Sequence, residues 1–275
     1  MSLQTVQEKE PQPRGKSVFC VACAAGLVAA FLFAAFPEID LWASRLFYRE
    51  DGSFAFSSPG MGANIRFLLR LVFAAICVAV VLGFISFGFF GRKAGGLGLV
   101  AWAYIALCAL IGPGLVANMG FKEHWGRARP SQIEEFGGTK TFTPPLLRTD
   151  QCERNCSFIS GEASNYYMLG FAFAFLGAAG IRRRLFLIAI AAGSFSGLIR
   201  IGGGGHFLSD VVFSGVFMAL VCAGLSRLML ERESSLRFFA DGSLFHESMR
   251  RAGRRMTDAL AQLFQMIRNR SGPSP

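Results

Sequence analysis

Long apolar runs alternate with short polar connections along this chain, and the alternation predicts its architecture. Runs at residues 17–36, 67–90, 97–119, 163–180, 185–198 and 211–230 carry few charges. A bilayer core about 30 Å thick takes a helix of about 20 apolar residues. The pattern therefore predicts six spanning helices and an all-α, polytopic fold. A cleaved leader is the alternative for the first run, because Ala34, Ala35 and Pro37 resemble a processing region. The run is too long for the apolar part of such a leader.

The connections differ in character. Residues 37–65 hold Glu38, Asp40, Arg45, Arg49, Glu50 and Asp51, and their apolar members Leu41, Trp42, Leu46, Phe47 and Tyr48 predict a short helix lying at the membrane interface. Gly112, Pro113 and Gly114 fall inside the third run and predict a kink. Residues 122–162 form one long polar segment. Residues 1–16 read as a flexible polar tail, 17–230 as the membrane domain, and 231–275 as a basic tail too polar to span. In that tail Phe245, Met249, Ala252, Met256, Leu260, Leu263, Phe264 and Ile267 recur at helical spacing, with Arg250, Arg251, Arg254, Arg255 and Arg268 on other faces. The pattern fits an amphipathic helix on an anionic leaflet, with packing on a second subunit as the alternative. His246 lies in this tail and is expected to play no part in chemistry.

Composition agrees with the pattern: 52% of the 275 residues are hydrophobic, more than a soluble domain of this size needs. The net charge of +10 does not point to nucleic acid, since the basic residues form no stripe with interleaved aromatics. They gather at the ends of apolar runs. Arg14, Lys16, Arg92, Lys93, Arg182, Arg183, Arg184 and the arginine-rich tail all fall on one side of a six-span chain. By the positive-inside rule that side is cytoplasmic and holds both termini. Residues 122–162 and 200–210 then share the opposite side and can meet. Of seven cysteines, Cys20, Cys23, Cys77, Cys108 and Cys222 lie within apolar runs. Cys152 and Cys156 lie in the polar loop, as either a local disulfide or two free thiols.

Three short stretches on that side carry candidate chemistry. In R-I-G-G-G-G-H-F-L-S-D, His206 and Asp210 are four apart, so on a helix the carboxylate can orient the ring and leave its other nitrogen free to attack. Arg200 offers a planar fork for phosphate oxygens, and the glycines let the backbone approach an anion. In K-E-H-W-G-R-A-R-P, Lys122 and Arg129 are seven apart, so on a continuing helix they would share one face two turns apart. An interface belt of Lys, Arg and Trp125 is the alternative there. In C-S-F-I-S-G-E, Ser160 and Gly161 at a helix start present a hydroxyl and backbone N–H groups to an anion, with plain N-capping as the alternative.

Taken together and in this order, K-x6-R-P, a Ser-Gly pair before a span, and R-x5-H-x3-D resemble the type 2 phosphatidic acid phosphatase superfamily over residues 37–228. The loop wording G-R-A-R-P, F-G-G, F-T-P-P and C-x3-C-S-F-I-S-G-E is similar, more narrowly, to bacterial lipid A phosphatases of the 4′-phosphatase type. The resemblance implies an acid-phosphatase-like helical bundle core. It implies His206 as nucleophile through a phosphohistidine, Asp210 as its orienting group, Lys122, Arg129 and Arg200 on the phosphoryl oxygens, and Ser160 with the Gly161 backbone completing the cradle. No metal or other cofactor is expected.

The chain departs from the family pattern twice. Ile199 stands where the family has Ser, and Glu162 stands where it has the histidine that protonates the leaving group. Glu162 is expected to take that acid role, with His124 as rival. Trp125 and Arg127 are further candidates for substrate contact, with a structural role at the interface as the alternative.

The expected activity is hydrolysis of a phosphate monoester on a lipid headgroup, lipid A favoured, at the periplasmic face of the bacterial inner membrane. Phosphatidylglycerophosphate, phosphatidic acid and undecaprenyl pyrophosphate are alternative substrates. Phosphoryl transfer to another lipid and a non-catalytic lipid-binding relative are alternative functions.

Overall fold

A computed structural model describes residues 14–57, 60–91, 97–231 and 244–270. The chain is all-α, and its long apolar helices make it a multi-pass membrane protein. In order these are α1 (Arg14–Ala35), the short α2 (Glu38–Arg45), α3 (Met61–Phe90), α4 (Leu99–His124), α5 (Gly161–Leu176), α6 (Ala179–Gly202), α7 (Leu208–Met229) and α8 (Leu244–Arg270). Among the described residues there is no β-strand, only isolated bridges between Tyr48 and Phe54 and between Ile133 and Lys140. Most of the expected tail at 1–16, the basic pair Arg92 and Lys93, and the start of the C-terminal tail lie outside the described residues.

Five helices, α1, α3, α4, α6 and α7, are long and apolar enough to cross a bilayer. The remaining expected span is α5, whose 16 residues reach about 24 Å at 1.5 Å per residue. It packs between α6 and α7. The fifth expected span begins earlier than its apolar run, because α6 takes Arg182, Arg183 and Arg184 into its first turns. Long arginine stems can lie along a helix while their heads reach a polar boundary, so the charges do not end it. The Arg182 guanidinium donates to the Gly177 carbonyl at 2.8 Å.

The expected kink in α4 is a π-helical stretch, Leu110–Phe121, with Pro113 inside it. Proline has no N–H to give, and widening the helical register is one way to absorb the gap. The expected interfacial helix is α2, from which Trp42 and Leu46 stand exposed.

The core lies among α4 to α7. Half of the most apolar stretch of α4 and of α7 is buried, against 17% for α1 and 11% for α3, which therefore face lipid at the periphery. Tyr104, Ile105, Cys108, Met168, Met218 and Cys222 are fully enclosed. Without water's hydrophobic drive between helices in lipid, close approach depends on small residues. A Cβ at Gly170 of α5 would come within 2.3 Å of the Ala189 Cβ on α6, so glycine sets that contact. Buried polar side chains collect at one end of this bundle: Asp40, Arg127, Ser157, Ser160, Arg200, His206, Ser209 and Asp210.

Candidate active site

The polar end is assembled from the C-terminal turns of α4 and α6, the N-terminal turns of α3, α5 and α7, α2, and the loop from Trp125 to Ser160. The loop is laid onto the helix ends by backbone bonds: Cys156 N to Lys122 O at 2.9 Å, Ser157 N to Arg127 O at 2.9 Å, and Ser160 N to Asp210 O at 3.3 Å. Cys152 and Cys156 form a disulfide with their Cα atoms 5.6 Å apart. The three stretches singled out in the sequence therefore meet.

His206 is 1% exposed and sits just ahead of α7 rather than on it. Its Nδ1 lies 2.7 Å from the Ser157 carbonyl oxygen and 3.6 Å from Asp210 Oδ2. The expected tight ring–carboxylate bond is thus replaced by one to the backbone. The i,i+4 spacing fails to deliver it because Phe207, the residue before the helix, has extended backbone angles. A carbonyl only accepts, so Nδ1 carries the proton and Nε2 keeps its lone pair. Burial pushes the imidazole pKa down to about 3; Asp210 opposes this, while Arg200 and Lys122 reinforce it. The ring is neutral at physiological pH.

Asp210 orients the surroundings of the ring. Its Oδ2 accepts from the Phe207 N–H at 2.8 Å and the Ser157 hydroxyl at 2.5 Å, and Oδ1 accepts from Arg127 Nη1 at 2.6 Å. Arg127 is wholly buried. Its Nη2 donates to Asp40 Oδ2 at 2.8 Å, its Nε to the Thr143 carbonyl at 2.9 Å, and its guanidinium lies 4.2 Å from the centre of the Phe207 ring. Asp40 also accepts from the Ser209 backbone at 2.8 Å and the Ser209 hydroxyl at 2.5 Å. One guanidinium thus bridges two enclosed carboxylates, each with further hydrogen bonds, as a charge buried in low dielectric requires.

The cations stand around this core. Lys122 lies over the start of α5: a Cβ at Gly161 would come within 3.2 Å of its Nζ. Its Nζ is also 3.4 Å from Asn155 Oδ1, and Arg129 Nη2 donates to the Asn155 carbonyl at 2.7 Å. Burial lowers the Arg129 pKa, and the nearby charge of Arg66 adds to the shift. Arg200 folds back over Gly205, where a Cβ would meet its guanidinium at 2.4 Å. Among the described residues, Arg200 Nε is buried and has no hydrogen-bond partner. Ser160 is the N-cap of α5, its hydroxyl 3.5 Å from the Ala163 N–H, so the capping alternative is realised at the same place where an anion could sit.

Glu162, the expected acid, stands among arginines. Its carboxylate accepts from Arg70 Nη2 at 2.8 Å and Nε at 3.0 Å, from Arg66 Nη2 at 3.2 Å, and lies 3.8 Å from Arg200 Nε. Burial pushes its pKa up, but the bonds from Arg66 and Arg70 and the charge of Arg200 outweigh that and hold it at about 2. The geometry pairs this carboxylate with arginines.

The rival, His124, is exposed and opens on a hollow of about 330 Å³ shared with Val116, Gly120, Phe121, Trp125 and Arg148. Trp125 donates its indole N–H to the Pro145 carbonyl at 2.7 Å and stacks on Phe158. Trp125 and Arg127 are thus engaged with the protein itself.

Asp40, Arg66, Arg70, Ser157 and Ser209 were not singled out in the sequence. Arg66 and Arg70 carried a usable signal, two arginines one turn apart at the start of a span. Asp40 carried none, since its partner Arg127 is 87 residues away.

An enclosed imidazole, a bundle of spanning helices and a ring of cations define an integral membrane protein built to engage a phosphoryl group. The chain belongs to the PAP2 superfamily, whose model matches residues 96–234 and so takes in every stretch of the motif set. It is 38% identical over 204 residues to a protein of Francisella tularensis subsp. novicida described as a Lipid A 4′-phosphatase, covering 70% of this chain and 89% of the relative. Proteins of the same description from Rhizobium etli and Rhizobium leguminosarum are each 30% identical over 210 residues, 72% of this chain and 81% and 90% of theirs. No solved structure matches significantly.

Proposed function

We propose that the chain hydrolyses a phosphate monoester of a membrane lipid, with lipid A at its 4′ position as the substrate, through a phosphohistidine on His206. The observation that carries the reading is the Nδ1 bond to the Ser157 carbonyl, which leaves a neutral ring with Nε2 unprotonated, near enough to Arg200 and Lys122 to feel their charge. The lone pair of Nε2 attacks phosphorus, the bond from phosphorus to the ester oxygen breaks, and the departing oxygen takes a proton from water. Water then cleaves the P–N bond, releasing phosphate and restoring the imidazole.

Lys122, Arg129 and Arg200 neutralise the phosphoryl oxygens, and the Gly161 N–H at the start of α5 adds a backbone donor. Positioning and charge neutralisation are most of what phosphoryl transfer asks of a protein. The donor set favours an anion over a metal: among the described residues no three His, Cys, Asp or Glu side chains gather at ligand spacing. Asp210 is a positioning residue, held through Arg127 by Asp40. Glu162 organises Arg66, Arg70 and Arg200 rather than supplying a proton.

The basic residues at the other end of the bundle support an orientation with both termini cytoplasmic and the site facing the periplasm of the bacterial inner membrane. The disulfide in the site loop agrees with an oxidising compartment.

Mass spectrometry of lipid A from cells with and without this chain tests substrate and position together. The 4′-phosphate is lost only where the chain is present, and the loss disappears with His206→Ala. Unchanged lipid A, with phosphate released from prenyl diphosphates instead, would replace this substrate with the pyrophosphate class.

A further inference from the structure

At the end of the bundle opposite the site, α8 rests on the last turn of α3. Met249 covers Gly88, Arg250 covers Gly91, and Gly253 lies so close to Phe89 that a Cβ would stand 2.4 Å from its carbonyl oxygen. That turn is where an apolar span ends, at Phe90. It therefore marks the membrane boundary at this end of the molecule. Met249 and Gly253 share one side of α8, and helical spacing carries the same side on through Met256, Leu260, Leu263 and Phe264. Beyond the end of α3 this side has no cover among the described residues: Met256 is 44% exposed and Phe264 70%. The flank opposite holds Arg251, Arg254 and Arg255, all exposed, alongside the acidic Glu247 and Asp258.

We propose that α8 lies flat on an anionic bilayer surface, with Met256, Leu260, Leu263 and Phe264 sunk at the boundary of headgroups and acyl chains and the three arginines among lipid phosphates. Continuity decides between occupants, because the apolar side that touches the end of a span is already at membrane depth when it leaves that span. Charge decides the same way. Acidic headgroups neutralise the arginines, whereas the apolar side of a second copy offers them no countercharge.

The test uses the full chain carrying Phe264→Trp, reconstituted into phosphatidylcholine vesicles with or without phosphatidylglycerol, the acyl chains brominated as quenchers. The signal is the fluorescence added over the parent protein. In phosphatidylglycerol vesicles the added emission is blue-shifted and quenched, and both effects weaken in phosphatidylcholine alone and at high salt. Combining Arg251→Gln, Arg254→Gln and Arg255→Gln moves the helix toward water by roughly 100-fold in its on–off equilibrium, from the usual attraction per basic residue. Phosphatase activity is retained in that variant, since these residues lie at the far end from the site. Water-like, unquenched emission would overturn the proposal. So would a blue shift without quenching, the mark of a copy-to-copy interface, or equal quenching in both vesicle types.

Discussion

At the scale of single residues the decisive feature is which nitrogen of His206 is free, and the chain answers it with a backbone carbonyl rather than a carboxylate. With its folded pKa near 3 against an ordinary 6.5, the ring stays neutral across the physiological range. kcat/KM should therefore show no acid limb near pH 6.5 from this group. The same depression makes His206 a source of stability that is complete above pH 6.5 and lost as pH falls toward 3. Unfolding in detergent across that window should be steeper for the wild type than for His206→Gln. Glu162→Gln keeps an acceptor for Arg66 and Arg70 but removes its charge. It should cost about tenfold in kcat/KM, as expected for weakened charge-assisted bonds, without shifting the basic limb of the pH profile. Loss of a basic limb would return Glu162 to the acid role. Asp40→Asn should lower kcat by roughly tenfold with little change in KM, since a positioning group acts on the reacting geometry and not on lipid binding. Arg127→Ala leaves two carboxylates buried without their shared cation and should destabilise the fold by about 3–5 kcal/mol, measured by unfolding in detergent.

At the scale of elements, hydrophobic periodicity made the helices legible and left their ends less so. The apolar runs located each spanning helix because lipid admits little else, but α6 begins within Arg182 to Arg184, where charge alone reads as a boundary. The π-helical form of α4 was invisible, since Gly112, Pro113 and Gly114 announce a disturbance without saying how the register absorbs it. The motif set placed Lys122, Ser160, Arg200 and His206 at one end because all three stretches abut span ends on one side. The layer behind them could not be read. Asp40 and Arg127 meet only through tertiary packing, and no spacing rule links a short interfacial helix to a loop beyond two spans. Element packing carries its own prediction. A Cβ at Gly193 would lie 2.5 Å or less from three ring atoms of Tyr167, so Gly193→Ala should push α6 away from α5 and cost about 1–3 kcal/mol, seen as a lower unfolding midpoint.

At the scale of the whole molecule, six apolar helices exist to hold one polar end together at a water–lipid boundary, where a headgroup phosphate can reach cations that lipid tails cannot. The periphery, α1 and α3, is given to lipid, while α3 also lends Arg66 and Arg70 to the site. Its orientation can be read by thiol labelling of intact inverted and right-side-out vesicles: Cys152 and Cys156 should react only from the periplasmic side, and only after reduction. The account as a whole rests on phosphorus passing through His206. Full-length protein turning over lipid A should be quenched in alkali, which preserves phosphoramidates, digested, and analysed for phosphopeptides by mass spectrometry. The predicted result is a phosphoryl group on the peptide holding His206, absent in His206→Ala together with turnover. Turnover that persists in His206→Ala, or a phosphoryl group carried by another residue, would contradict it.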